Sequence, residues 1–244
     1  MDSQLAISLM FIFLSAMLQS TTGFGFALLS VPALSLVYGP HVAVPLIMIV
    51  SYVTILLNVK KVYQEREKGT VKKLFIGSLF GVPIGLLIFL YANVDLLKLF
   101  FGLITLLISS LFLFKDYFIN LIKNIKQGEY ISGAISGIMT TSVGMPGPAV
   151  MLFLESKKQE QGPYRATGLV YLFLVYPIPI LSFLLAGLIN LFIIKLALLL
   201  IPISILGMIT GNYIHNRISK RVFSTLTYSI LLSTGLIIFA TTLF

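Results

Sequence analysis

Apolar residues in this chain run in long blocks, at roughly 4–38, 41–59, 72–91, 95–114, 130–154, 166–188, 190–214 and 222–243. Most blocks are close to twenty residues. At about 1.5 Å per residue, a helix of that length crosses a hydrocarbon layer about 30 Å thick. The blocks are continuous rather than alternating, which argues against a membrane barrel. The pattern predicts an all-α integral membrane protein.

Two blocks depart from it. As one helix, 4–38 would extend about 52 Å. It is interrupted by "QSTTGFGF" (19–26), and cutting it there leaves two arms of roughly 13 or 14 residues, each too short to cross. Block 130–154 is interrupted in the same way by "TTSVGMPGP" (140–148). Each is expected to be a re-entrant hairpin with a broken helix, followed by three transmembrane helices.

Charge decides between hairpins and simple crossings. With eight simple crossings, the 17 Lys and Arg divide ten to seven between the two faces. With two hairpins, loops 60–73, 115–128, 155–165 and 215–221 fall on one face and hold 15 of the 17, leaving Lys98 and Lys195 elsewhere. The positive-inside bias favours the second arrangement and makes that face cytoplasmic. The N-terminus is then outside. The opening "MDSQ" has no basic residue before the first block, so that block is expected to belong to the mature protein. The location this predicts is the cell membrane, crossed many times.

Under this topology the two halves have opposite orientation, and their sequences echo each other in order. "TTGFGFALLSVPAL" at Thr21 matches "TTSVGMPGPAVMLF" at Thr140. "GPHVAVPL" at Gly39 matches "GPYRATGL" at Gly162, and "GVPIG" at Gly81 matches "GMITG" at Gly207. The offsets are 119, 123 and 126. The expected organisation is an N-terminal repeat over 1–114, a cytoplasmic linker over 115–129 and an inverted C-terminal repeat over 130–244. Inverted repeats with broken helices are a recurring plan of secondary transporters.

Irregular backbone at membrane depth survives only where protein covers it or where it lines a cavity. Gly23, Gly25, Gly144 and Gly147 permit the turn and a close approach of solute to the main chain. Ser20, Thr21, Thr22, Thr140, Thr141 and Ser142 carry hydroxyls able to meet free amides or a ligand, and Gln19 stands beside the first break. A helix starting after each break would aim its partly positive end at the space between them, which suits an anion. The alternative is a plain kinked helix whose hydroxyls bond back to the preceding turn. Arg165, inside the repeated Gly-Pro motif, is a candidate to clamp a carboxylate or sulfonate. It is equally suited to be one more basic loop residue. Its counterpart in the first half is Val42, so any such role is asymmetric.

Composition narrows the chemistry. The eight acids all lie in loops or at block ends, whereas cation and proton pathways usually carry buried carboxylates. The net charge of +9 resides in short loops, so no nucleic-acid partner is expected. There is no Cys, no mid-membrane acid and no pair of His, so no metal, no cofactor and no enzyme activity are expected. No Gly-Lys-Ser/Thr phosphate loop is present, so ATP does not drive this chain by itself. The expected partners are the bilayer, a small anion and a coupling proton or sodium ion, with the oligomeric state open. A passive anion channel is the alternative to a transporter. The strip "KDYFINLIKNIKQG" (115–128) reads as amphipathic and is expected to lie on the cytoplasmic surface.

"QSTTGFGFALLSVPAL", followed half a chain later by "TTSVGMPGPAVMLFL", resembles the paired signatures of the sulfite exporter TauE/SafE family. Gly23, Gly25 and Pro32 match the first signature; Gly144, Gly147 and Pro148 match the second. Pro146 stands where that pattern has Gly. The resemblance implies transport of small sulfur-containing anions: sulfite, sulfonates such as sulfoacetate, or related organic anions; a transporter of non-sulfur organic anions is the alternative.

Overall fold

A computed structural model describes residues 2–113, 125–157 and 159–214, and no strand occurs among them. The helices are α1 (Asp2–Thr22), α2 (Phe26–Tyr38), α3 (Pro40–Val62), α4 (Lys68–Tyr91), α5 (Val94–Leu113), α6 (Gly128–Val143), α7 (Gly147–Ser156), α8 (Gln161–Val175), α9 (Pro177–Leu185) and α10 (Leu191–Ile214). Five apolar helical stretches are long enough to span a membrane: Ser3–Thr22, Pro40–Glu65, Lys68–Tyr91, Gln161–Leu185 and Leu191–Ile214. Phe26–Tyr38 and Gly147–Ser156 are shorter apolar helices. The protein is an all-helical, multi-pass membrane protein. Block 222–243, His215 and all of the linker before residue 125 lie outside the described residues.

Both interrupted blocks are broken, but not into equal short arms. α1 runs 21 residues, about 32 Å, so it is long enough by itself to cross. The expectation that both arms of the first block fall short is therefore wrong for α1 and holds for α2, which has 13 residues. The reason is that Ser20, Thr21 and Thr22 are helical. Their hydroxyls donate to the carbonyls of Ala16, Met17 and Leu18, one turn back, which extends the helix rather than ending it. Termination waits for Gly23 (φ +87°) and Gly25 (φ +103°), in the left-handed region that glycine tolerates. In the second block α6 ends the same way at Gly144 (φ +72°), whose N–H returns to the Thr140 carbonyl.

After each break the chain turns back along the helix it has just left. The hydroxyls of Ser8, early in α1, and Tyr38, at the end of α2, are 3.0 Å apart. Glu129, at the start of α6, accepts a 2.8 Å charged hydrogen bond from Lys157, just past α7. α3 carries the chain away from Tyr38 to the start of α4, where Lys73 lies 3.8 Å from the same Glu129 carboxylate.

Small residues set how closely these helices approach. On α4, a side chain at Gly77, Gly81 or Gly85 would strike the main chain of α6 at Tyr130, Ala134 or Ile138; Gly133 and Gly137 of α6 face α4 in the same way. On α10, Gly207 and Gly211 lie against the Phe13 and Met17 carbonyls of α1. The helix before each break is thus gripped by a late helix of the other half. Lipid offers little hydrophobic gain for helix association, so such interfaces depend on close van der Waals contact.

Candidate functional site

The two breaks meet. A cavity of about 10 Å³ is lined by Gln19 of α1, by Phe24 to Leu28 across the first break, by Met145, Pro146 and Gly147 of the second, and by Leu172 and Tyr176. That volume holds about one water. Phe24 bridges the breaks, since a Cβ on Gly147 would sit 3.5 Å from its ring.

Two helix starts border this space. No side chain caps α2 or α7. At the start of α2 the Leu29 amide reaches the carbonyl of Gly25, just before the helix, at 3.4 Å, so the amides of Phe26, Ala27 and Leu28 have no carbonyl within the helix to take them. α7 contributes fewer, because Pro148 has no N–H. The starts of α2 and α7 turn the partly positive ends of their dipoles toward the cavity without a cation in its lining.

Gln19 is buried and fixed at both ends of its amide: Nε2 donates to Ser51 Oγ (3.0 Å) and Oε1 accepts from Thr54 Oγ1 (2.8 Å). Tyr176, which also lines the cavity, is buried with the same Ser51 as its hydrogen-bonding neighbour. The second break is tied down by a chain of hydroxyls, in which Tyr171 lies 2.7 Å from Ser136 Oγ and Ser136 donates to the Pro146 carbonyl at 2.6 Å.

Of the candidate residues, Gln19, Gly25 and Gly147 line the cavity. The six hydroxyl residues do not. Thr140, Thr141 and Ser142 donate to carbonyls one turn back, as Ser20, Thr21 and Thr22 do, which is what the kinked-helix alternative requires of them. Thr141 also reaches the Val82 carbonyl at 2.8 Å, tying α6 to α4, and Thr22 accepts from the Phe24 amide at 3.2 Å. Their protons are committed to the main chain, so they shape the breaks. Gly23 lies against the Arg165 main chain and Gly144 against Val31 and Val44. The Arg165 guanidinium bonds Asn212 of α10, outside the cavity lining. Among the described residues, no group of His, Asp and Glu is arranged to hold a metal.

The family model for the sulfite exporter TauE/SafE matches residues 8–238. The chain belongs to the sulfite exporter TauE/SafE family. No curated protein and no solved structure matches it. In this TauE/SafE chain both glycine-rich signatures sit at the breaks that form the cavity. Sequence reasoning missed most of the wall, including Phe24, Phe26, Met145, Leu172 and Tyr176. The one available signal was Tyr176, a phenol in an apolar block directly before Pro177-Ile178-Pro179, where α8 gives way to α9.

Proposed function

We propose that this chain is a secondary transporter of small sulfur-containing anions, sulfite or organosulfonates such as sulfoacetate, working by alternating access. The observation that carries the reading is the convergence of two uncapped helix starts on one buried cavity. An anion held there would take its hydrogen bonds from main-chain amides and from Gln19. The cavity admits only about one water, so a multi-atom anion requires its walls to part. This favours a gated carrier over an open channel. Family membership supports the sulfur-anion class. A proton or sodium ion is the coupling partner in this reading, with break carbonyls available to sodium.

The test is flux in proteoliposomes with sulfite, sulfoacetate, sulfate, taurine and simple carboxylates. Saturable movement of a sulfur oxyanion or sulfonate is expected, without the large electrical currents of a channel. A panel with no saturable flux overturns the proposal, and flux confined to the carboxylates moves it to non-sulfur anions.

The architecture belongs to the same proposal: two inverted repeats, each a re-entrant hairpin followed by three crossings. Each half's broken-helix unit is gripped through glycines by the other half, and Gly81 and Gly207, aligned in sequence, occupy matching places in those grips; both facts support duplication. Because the chain lacks Cys, single cysteines report sidedness cleanly. Ser3→Cys and His41→Cys should both react with an impermeant maleimide added outside cells. Lys126→Cys and Glu160→Cys should react only after permeabilisation. Ser3 and His41 reacting from opposite faces would sink the re-entrant assignment.

A further inference from the structure

Arg165 is the one charged residue among the candidates, it lies outside the cavity lining, and its surroundings are unusual. It lies in the second turn of α8 and is only partly exposed. One end of its guanidinium donates to Asn212 Oδ1 of α10, whose Nδ2 donates to Asn58 Oδ1 of α3 at 3.1 Å. Its Nε is buried with no hydrogen-bond partner. Among the described residues no carboxylate forms a salt bridge with it. A buried guanidinium donor left unmatched is costly and calls for an explanation. Asn212, braced by Asn58, satisfies part of this group's hydrogen bonding, and the Glu65 carboxylate acts on its charge from nearby without bonding it.

Its place gives the explanation. The Arg165 main chain is in contact with Gly23, where a Cβ would sit 2.8 Å from its carbonyl oxygen. Thr21 Oγ1 lies 3.4 Å from the carbonyl of Gly211, the neighbour of Asn212. The cluster is therefore one layer from the first break. On its other side is the turn between α3 and α4, held to α8 by the Glu67 amide bonded to Thr167 Oγ1 (3.0 Å) and by Glu65 against Gly162. That turn belongs to the lysine-rich loop, the cytoplasmic one by charge. At the aligned position in the other half stands Val42, which carries no charge.

We propose that Arg165, with Asn212 and Asn58, forms a second anion station that receives the oxyanion from the cytoplasmic face and passes it to the cavity between the breaks. This rests on the transport reading above. An arriving sulfonate or sulfite oxygen takes the free Nε–H and the charge of the guanidinium, and the asparagine amides complete its shell. The station exists on one face only, so it gives the two faces unequal apparent affinities.

The experiment measures KM and kcat for sulfoacetate from each face, in inside-out and right-side-out membrane vesicles. Arg165→Gln should raise KM at the cytoplasmic face by about tenfold or more. KM at the external face and kcat should stay within about twofold. Arg165→Lys, which keeps the charge and loses the planar fork, should fall between. Asn212→Asp keeps Arg165 and neutralises it with an adjacent carboxylate, so it should reproduce the one-sided rise even if Arg165→Gln fails to fold. Equal KM changes on both faces, or none on either, overturn the station. Wild-type vesicles that move no sulfoacetate, sulfite or other anion overturn the transport reading itself, a result recognisable before any variant is made.

Discussion

Gln19→Glu is expected to give a protein that folds, reaches the membrane and no longer binds its anion. The substitution is nearly isosteric, and the buried pocket for the side chain already suits a carboxylate. Thr54 donates to Oε1 at 2.8 Å, and the Ser51 hydroxyl, now accepting from Nε2 at 3.0 Å, can rotate to donate instead. The new charge faces the two uncapped helix starts, which favour it by roughly 0.3–1 kcal/mol each. Desolvating the buried carboxylate costs more than the helix starts return, so stability falls, while the retained hydrogen bonds keep the fold. An anion arriving at the same amides meets a fixed like charge. At a separation of about 4 Å and an effective dielectric of about 20, the repulsion is about 4 kcal/mol, on the order of a thousandfold in affinity. Thermal stabilisation by sulfite or sulfoacetate should vanish and flux should fall to background. Retained affinity, within about twofold of wild type, would show that solute does not bind beside Gln19.

The breaks were legible in the sequence because a bilayer punishes irregular backbone. Gly23, Gly25, Gly144 and Gly147 in the middle of apolar blocks had to mark something. The lengths of the arms were not legible. Ser20 to Thr22 and Thr140 to Ser142 read as part of each interruption, yet with no water to compete, each hydroxyl bonds its own preceding turn and prolongs the helix. The cavity wall was hidden for a different reason. In a soluble helix the apolar stripe marks the inward face, but in lipid both faces are apolar. Nothing in the pattern separates the buried Phe24, Leu172 and Tyr176 from the exposed Phe80 and Leu198. Arg165 was legible as a cation in a repeated motif, whereas its partner Asn212, 47 residues away, depends on how α8 and α10 are brought together.

Gly81→Leu is expected to abolish the folded protein, and even Gly81→Ala to damage it badly. A Cβ at this position would run into the Ala134 carbonyl and lie 2.8 Å from the Ile138 amide nitrogen. Both are helical backbone atoms, so no side-chain rotation relieves the clash. α4 and α6 must separate along a seam that also includes Gly77, Gly85, Gly133 and Gly137. Overpacking of this kind costs about 1–3 kcal/mol where side chains can adjust, and more where they cannot. For a chain of this size, about 3 kcal/mol lowers the melting temperature by roughly 6–12 °C. Gly69→Ala is the control: it lies in the first turn of the same helix with nothing within 4 Å of its Cβ, so it should be neutral or slightly stabilising. The measurement is thermal unfolding and monodispersity in detergent. The same seam carries the function, because α6 leads directly into the second break and Thr141 bonds α4 at Val82. A Gly81→Ala protein that survives purification should therefore lose anion binding along with stability, since Gly147 and Pro146 are displaced from the first break. If Gly81→Ala melts within about 2 °C of wild type, the tight α4–α6 approach is not what holds the second break against the first.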